Sequence, residues 1–263
     1  LSTVPTGQHS KARCLIKEIG ILAGVDAAER VLYAVDPNMK MQRLLEDGSP
    51  VKVGDVAFTV EGDPRSILQA ERLLLNIMQR MSGIATHTRS IVDRLEGTSC
   101  RLLDTRKTTP LFRHFEKWAV HIGGGVNHRF GLYDMVMIKD NHIDYAGSIE
   151  AALSACKSYL TQNQLELKIE VETRNLDEVQ QVLDAGGADR IMLDNMDIEM
   201  MTTAVKRIGG RAETEASGGS TPERVRMIAS TGVDYISMGA LTHQIKSLDI
   251  SLKAMRYLGI IRK

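Results

Sequence analysis

After Gly97 the chain repeats one pattern: a short apolar run, a polar loop, then a stretch with helical spacing. The apolar runs are Cys100–Leu103, Met135–Ile138, Leu167–Val171, Arg190–Leu193, Arg211–Thr214 and Asp234–Ser237. Strands that alternate with helices pair in parallel, because each helix must carry the chain back to the start of the next strand. In the last four repeats Glu172, Asp194, Ala216 and Met238 recur every 22 residues, and the spacing assigns them to equivalent strand ends. So even a repeat predicts a β/α barrel rather than an open sheet. In such barrels the active site lies at the C-terminal ends of the strands. Two helix starts fit the scheme: Asn175 with Glu178 as a capping-box pair, and Thr221-Pro222 as a cap followed by a first-turn proline.

The first part of the chain reads differently. From Lys11 to Gly62 the segments are short and β-like, broken by turn signals at Asp47-Gly48, Gly54-Asp55 and Glu61-Gly62-Asp63-Pro64, with a helix near Ala27–Val35. Asp63-Pro64 then opens a long helix whose apolar positions include Ile67, Leu74, Ile77, Met78 and Met81. The expected organisation is a small α/β domain over residues 1–83 and a barrel over residues 84–244. A C-terminal helix over residues 245–263 is expected to pack back on the small domain.

Composition excludes several classes of function. The 263 residues carry 33 basic and 33 acidic side chains, so no global charge draws the molecule to nucleic acid or to an anionic membrane. Any anion site must be a local cluster. Cys14, Cys100 and Cys156 are far apart and show no metal-ligand spacing, which speaks against a disulfide framework or a zinc site and fits a reducing compartment. No apolar run approaches the ~18 residues that a membrane helix needs. The expected compartment is the cytoplasm, with organelle targeting left open because the chain begins at Leu1 rather than methionine.

Chemistry concentrates at the predicted strand ends. They carry Asp104-Thr105-Arg106-Lys107-Thr108, Lys139-Asp140-Asn141-His142, Glu170-Val171-Glu172, Asp194-Asn195 and Ser217-Gly218-Gly219. Lys139 directly follows a buried strand, and an inward ammonium there needs a partner; Asp140, Glu172 and Asp194 are the candidates. Arg106-Lys107 taken alone also reads as an ordinary solvated basic pair. His128-Arg129 follows Gly123-Gly124-Gly125, a run that permits close backbone approach. Glu170 and Glu172 are two apart on a strand and so share a face. Such carboxylates suit sugar hydroxyls or a Mg²⁺-bound polyphosphate. Ser217-Gly218-Gly219, with Gly239 after the next strand, can turn backbone N–H groups toward one phosphate.

The segment Leu103–His142, LDTRKTTPLFRHFEKWAVHIGGGVNHRFGLYDMVMIKDNH, contains in order DTRKT, GGG-x-NHR and IKDNH, and EVE, MLDN, EASGG and a late glycine follow. This ordered set, within a match from about Ala12 to Leu252, resembles the quinolinate phosphoribosyltransferase family. The resemblance implies a small α/β sandwich joined to an incomplete, seven-stranded α/β barrel. It implies transfer of phosphoribosyl from phosphoribosyl pyrophosphate, with Mg²⁺, to quinolinate, giving nicotinate mononucleotide, pyrophosphate and carbon dioxide on the route to NAD. Arg106, His128, Arg129 and Lys139 would then surround the quinolinate carboxylates. Lys107 would lie near the pyrophosphate or reacting centre, and Thr108 of the same element would join the substrate contacts. Glu172 and Asp194 would face the ribose and its metal. Ser217, Gly218, Gly219 and Gly239 would hold the 5′-phosphate. Arg72 resembles the arginine that a neighbouring subunit contributes, which predicts a homodimer or a higher homo-oligomer. The chain departs from the family at Pro110-Leu111-Phe112-Arg113, where many members read PGLR. Two other readings of the same residues are a transferase for another pyridine or carboxylate, and a Schiff-base aldolase with Lys139 as nucleophile. A phosphosugar-binding protein without activity is a third.

Overall fold

The structure is a computed structural model that describes residues 3–4 and 7–255. Two compact units emerge: residues up to Arg89 with Thr108–Gly124 and those from Leu241 onward, and Ser90–Lys107 with Gly125–Ala240.

In the first unit, strands β1 (Ser10–Ile16), β3 (Lys40–Arg43), β5 (Val56–Gly62) and β12 (Ile250–Met255) form an antiparallel sheet in the order β12-β1-β5-β3. Two short strands, β2 (Gly20–Ile21) and β4 (Pro50–Val51), pair beside it. Along β1 the alternation of the pleat puts Ala12, Cys14 and Ile16 on the buried face. They share a core with Val25, Ala28 and Leu32 of α1 (Val25–Val35) and with Leu74 and Met78 of α2 (Pro64–Val92). The start of α2 is as expected: the Asp63 carboxylate accepts the Arg65 N–H at 2.8 Å, and Pro64 opens the first turn.

The expected C-terminal helix is not formed at residues 250–255. That segment is β12, antiparallel to β1 with Ile250 opposite Ile16 and Met255 opposite Lys11. Its sequence contains good helix formers, yet Ile250 and Leu252 are buried while Lys253 is exposed, and pairing with β1 overrides propensity. Residues 256–263 lie outside the described residues.

A second departure concerns Leu111. It takes φ 63°, a left-handed conformation that favours glycine, at the position where the related motif carries one. The loop thus keeps its glycine geometry without the glycine, and α3 (Arg113–Ile122) follows directly.

The second unit is built on a parallel sheet in the order β6-β11-β10-β9-β8-β7. Its strands are β6 (Arg101–Leu103), β7 (Val136–Ile138), β8 (Ile169–Thr173), β9 (Arg190–Asp194), β10 (Glu213–Ser217) and β11 (Tyr235–Ser237). Helices α4 (Asp140–Ala146), α5 (Ile149–Gln162), α6 (Leu176–Ala185), α7 (Ile198–Ile208) and α8 (Val225–Ala229) connect them. Beyond β6 a seventh strand position shrinks to one residue: Val126 bridges Leu103 in parallel and donates its N–H to the Leu102 carbonyl at 2.8 Å. The chain just after Val126 then reaches the other edge of the sheet. The Arg129 guanidinium bonds the Met135 carbonyl at 3.2 Å, next to β7, and the His128 ring lies 2.9 Å from Glu170 on β8. Side chains rather than a backbone ladder bring the two edges together, which makes the sheet an incomplete barrel.

The 22-residue spacing does not mark equivalent strand positions. Glu172 is paired with Met192, and Met192 with Glu215, so one row across the sheet advances by 192 − 172 = 20 and then by 215 − 192 = 23 residues. The crossovers differ in length, and their mean imitates a regular repeat. The two helix starts also differ in detail. Asn175 caps α6 by accepting the Asp177 and Glu178 N–H groups, but the Glu178 carboxylate takes the Arg174 N–H instead of closing the box. Helix α8 begins at Val225, three residues beyond Pro222, because Thr221–Arg224 forms a turn closed by the Arg224 N–H on the Thr221 carbonyl. No helix among the described residues is long and apolar enough to cross a membrane.

Candidate active site

A cavity of about 650 Å³ opens at the C-terminal ends of the parallel strands. Period-two alternation explains its lining. Glu172 on β8, Met192 and Asp194 on β9, and Glu215 and Ser217 on β10 all point to the inner face, while Val171, Leu193 and Ala216 point outward and are buried. Of the residues singled out in the sequence, Arg106, Lys107, His128, Arg129, Lys139, Glu172, Asp194, Ser217 and Gly218 line this space. Gly219 is exposed beside Gly218, and Gly239 follows β11; neither is a lining residue. Thr108 and Arg72 belong to the first unit and do not line the cavity; Thr108 accepts a hydrogen bond from Arg113, and Arg72 is exposed on α2.

The cations come from the two sheet edges. Arg106 has its Nε buried without a hydrogen-bond partner. The Arg129 guanidinium donates to uncharged acceptors, the Met135 carbonyl and, at 3.6 Å, the Met137 sulfur. Burial and then the nearby Arg106 charge lower Arg129 below the usual guanidinium range. Two like charges held together with an unsatisfied N–H are costly unless an anion joins them, so the arrangement is preorganised for one. Lys139 follows β7 and settles the question of its partner: its ammonium lies 2.8 Å from the Glu172 carboxylate. The Lys139 side chain is 46% exposed, so this ion pair contributes only ~0–1 kcal/mol and is readily exchanged for a substrate carboxylate. That setting is the opposite of the dry pocket that frees a lysine amine for Schiff-base chemistry.

At the opposite side the ends of β9 and β10 are locked together. Asn195 donates its backbone N–H to the Ser217 carbonyl at 2.9 Å and its amide to the Asp194 carboxylate at 2.8 Å. It does so in a left-handed conformation, φ 54°. Gly218, at φ 81°, is required here, since a Cβ on it would sit 2.1 Å from the Asn195 amide oxygen.

Beneath the cavity lies a buried polar layer. His128 Nε2 is 2.9 Å from a Glu170 oxygen and 3.3 Å from a Glu215 oxygen, and both carboxylates are fully buried. Glu215 is also bound by Arg190 at 3.1 Å, and the Arg190 guanidinium stacks over the Tyr235 ring, 4.2 Å from its centroid. Burial raises the Glu170 carboxyl above the usual range. Burial works the same way on Glu215, but His128 and Arg190 outweigh it and lower that group. His128 Nδ1 accepts the Arg129 N–H at 2.7 Å. The ligand atoms of His128, Glu170 and Glu215 lie within 4.8 Å of one another, the spacing of a metal-ligand set. Arg190 already supplies a positive charge to that trio, which favours reading it as a proton-sharing cluster. Sequence reasoning missed Glu215 and Arg190, and it placed Asn195 at a strand end without assigning it a role. The available signal was the alternation Glu213, Glu215, Ser217, which puts Glu215 on the face of the Ser-Gly-Gly loop.

Two family models cover nearly the whole chain: "Quinolinate phosphoribosyl transferase, N-terminal domain" over residues 1–82 and "Quinolinate phosphoribosyl transferase, C-terminal domain" over residues 84–253. Quinolinate phosphoribosyltransferase [decarboxylating] 1 of Nicotiana glauca is 50% identical over 266 residues, covering 96% of this chain and 75% of the relative. The chloroplastic nicotinate-nucleotide pyrophosphorylase [carboxylating] of Arabidopsis thaliana is 49% identical, covering 96% of this chain and 76% of its own. Among solved structures, the nicotinate-nucleotide pyrophosphorylase of Francisella tularensis superposes with a TM-score of 0.89 at 40% identity, covering 97% of this chain and 92% of that one.

Proposed function

The chain belongs to the quinolinate phosphoribosyltransferase family, and we infer that it transfers phosphoribosyl from phosphoribosyl pyrophosphate to quinolinate with loss of carbon dioxide. The products are nicotinate mononucleotide, pyrophosphate and carbon dioxide, a step in pyridine nucleotide synthesis. The observation that carries this reading is the pairing in one cavity of Arg106, Arg129 and Lys139 with the carboxylates Glu172 and Asp194. Both substrates are polyanions, so fixed cations reduce their repulsion and orient the ring nitrogen toward the sugar carbon. Arginine suits the task because its planar fork matches a carboxylate. Convergence of three cations at one end favours a dicarboxylate over a monocarboxylate.

The order of events follows from the charges. A quinolinate carboxylate replaces Glu172 on Lys139 at little cost, and Arg106 and Arg129 take up the negative charge their geometry lacks. As pyrophosphate departs, positive charge grows on the sugar, and Glu172 and Asp194 stabilise it electrostatically. Lys107 faces the leaving group. The ring nitrogen becomes cationic on forming its bond to the sugar, which draws off the electrons of the adjacent carboxylate bond and lets carbon dioxide leave. No covalent nucleophile is required. Ser217, Gly218, Gly219 and Gly239 would hold the 5′-phosphate in the loops after the last two strands.

Mg²⁺ fits as a companion of the pyrophosphate. Glu172 and Asp194 are two carboxylates on neighbouring strands, the number that this ion takes from protein when substrate oxygens and water complete its shell. They would hold it, and its contribution is to neutralise charge on the leaving group.

We further propose a homodimer in which the exposed Arg72 serves the neighbouring cavity. Mixing Arg72→Ala with Lys139→Ala protein tests this, because each hybrid dimer contains one cavity with both residues intact. Activity should recover to roughly one site in four, and no recovery on mixing would oppose the sharing. Relatives are named mitochondrial in Nicotiana tabacum and chloroplastic in Arabidopsis thaliana, so an organelle is a proposed compartment alongside the cytoplasm. The reaction itself is tested by chromatography of the products: quinolinate should give nicotinate mononucleotide, and nicotinate in its place should give none. Equal turnover of nicotinate would point to a transferase for another pyridine.

A further inference from the structure

We propose that Glu215 and Glu170 are positioning residues that act through His128: they favour a proton on its Nε2, and their negative charge lets Nδ1 take a second one, so that the ring meets an incoming carboxylate as a cation. This rests on the reading that His128 faces a carboxylate of quinolinate.

The geometry gives the ring little freedom. Nε2 is buried and lies 2.9 Å from Glu170 and 3.3 Å from Glu215, with neither carboxylate exposed. Two buried carboxylates this close favour a proton on Nε2 through their charge, although neither contact has hydrogen-bond geometry in the structure. The His128 backbone is pinned as well, since its N–H donates to the Asp104 carboxylate at 2.8 Å. Glu215 cannot swing away, because Arg190 holds it from β9 while Glu213 holds Arg190. Acid–base change then falls to Nδ1, which accepts the Arg129 N–H at 2.7 Å in the structure. With Nδ1 protonated from solvent the Arg129 N–H is released, and an arriving carboxylate oxygen can take both hydrogens, that of Arg129 and that of Nδ1.

The charged groups around the ring support the same end. Those facing it are Glu170 on β8 and Glu215 on β10, with Asp104 after β6 on its backbone, Arg129 beside it in the chain, and Arg190 behind Glu215 on β9. Burial alone would lower the imidazole, but the two carboxylates overcome it and push it up to about 9. His128 is then cationic below that pH and loses its charge above it. A neutral, ordinary histidine titrating near ~6.5 would be uncharged through most of the physiological range.

Glu215→Gln is the direct test, as glutamine keeps the shape and one acceptor while removing the charge. The ¹⁵N shifts of His128, assigned by comparison with His128→Asn protein, report the ring's state without any need for turnover. Wild-type His128 should keep a protonated Nε2 throughout and titrate near pH 9, whereas in the variant the titration should move toward ~6.5. The KM for quinolinate in the variant should then match wild type near pH 6 and rise about tenfold by pH 8, with the KM for phosphoribosyl pyrophosphate unmoved. Should Glu215→Gln protein not fold, Glu170→Gln carries the same test. A wild-type His128 that titrates near pH 6.5, or a variant whose two KM values rise together at every pH, overturns the proposal. Failure of the wild-type enzyme to release carbon dioxide from quinolinate would instead strike at the assigned reaction, and the spectra would still decide the state of the histidine.

Discussion

Replacing Gly218 by alanine isolates the contribution of the Ser-Gly-Gly loop. At φ 81° an alanine costs about 1 kcal/mol in backbone strain. Its Cβ would also fall 2.1 Å from the Asn195 amide oxygen, and the side chain must rotate off Asp194, losing a hydrogen bond at about 1 kcal/mol. The sum is about 2 kcal/mol against the native loop. If the loop relieves this by leaving its arrangement, the competent fraction falls by up to roughly thirtyfold, and the apparent affinity for phosphoribosyl pyrophosphate falls with it. Gly210→Ala is the matched control: φ is 77° and nothing lies within 4 Å of its Cβ position, so it carries the strain without the collision. Steady-state kinetics should show the KM for phosphoribosyl pyrophosphate raised at least tenfold in Gly218→Ala and unchanged in Gly210→Ala. Equal kinetics in the two variants would refute the reasoning, because strain alone would then account for everything.

Three further outcomes follow from the same geometry. Lys139→Ala and Arg106→Ala should each lower turnover more than tenfold with unchanged circular dichroism, since each removes a charged contact of the cavity; near-normal turnover in either would mean that the site is misplaced. Arg190→Leu should destabilise by about 3 kcal/mol, because it leaves the buried Glu215 with His128 as its one remaining cation among those described, and thermal melting should drop by roughly 10 °C. A drop of a degree or less would show that the layer beneath the cavity is already balanced without the arginine. Leu111→Gly should stabilise by about 1 kcal/mol in denaturant titration, as it relieves a left-handed leucine whose side chain is exposed and packs little; a loss of stability would contradict that assignment of strain.

The site's rim was legible because it is encoded locally. Glu170 and Glu172 share a face by period two, and a lysine at the end of a buried strand announces a partner, although only the fold chose Glu172 among three candidates. In the layer underneath, His128 and Glu170 stood out in sequence but their meeting did not, because the layer joins residues from four places along the chain. Glu215 carries no weight in sequence beside the more conspicuous Ser217-Gly218-Gly219, and Arg190 stands at the start of a strand, where an arginine usually reaches solvent. Engagement of both His128 nitrogens by protein groups depends on two strands and one peptide N–H converging on a single ring. In the fold itself, alternation of strand and helix identified the parallel sheet, whereas the 22-residue period suggested a register that the pairing does not keep. The segment at residues 250–255 misled for a related reason: leucine, lysine, alanine and methionine favour helix locally, and an open edge at β1 makes them a strand.

The ratio of carbon dioxide to pyrophosphate released tests the assigned reaction most directly. Purified protein with Mg²⁺, phosphoribosyl pyrophosphate and quinolinate labelled in the carboxylate next to the ring nitrogen should release labelled carbon dioxide and pyrophosphate in equal amounts. Pyrophosphate released without carbon dioxide, or no release of either, would contradict the assignment of this cavity to decarboxylating phosphoribosyl transfer.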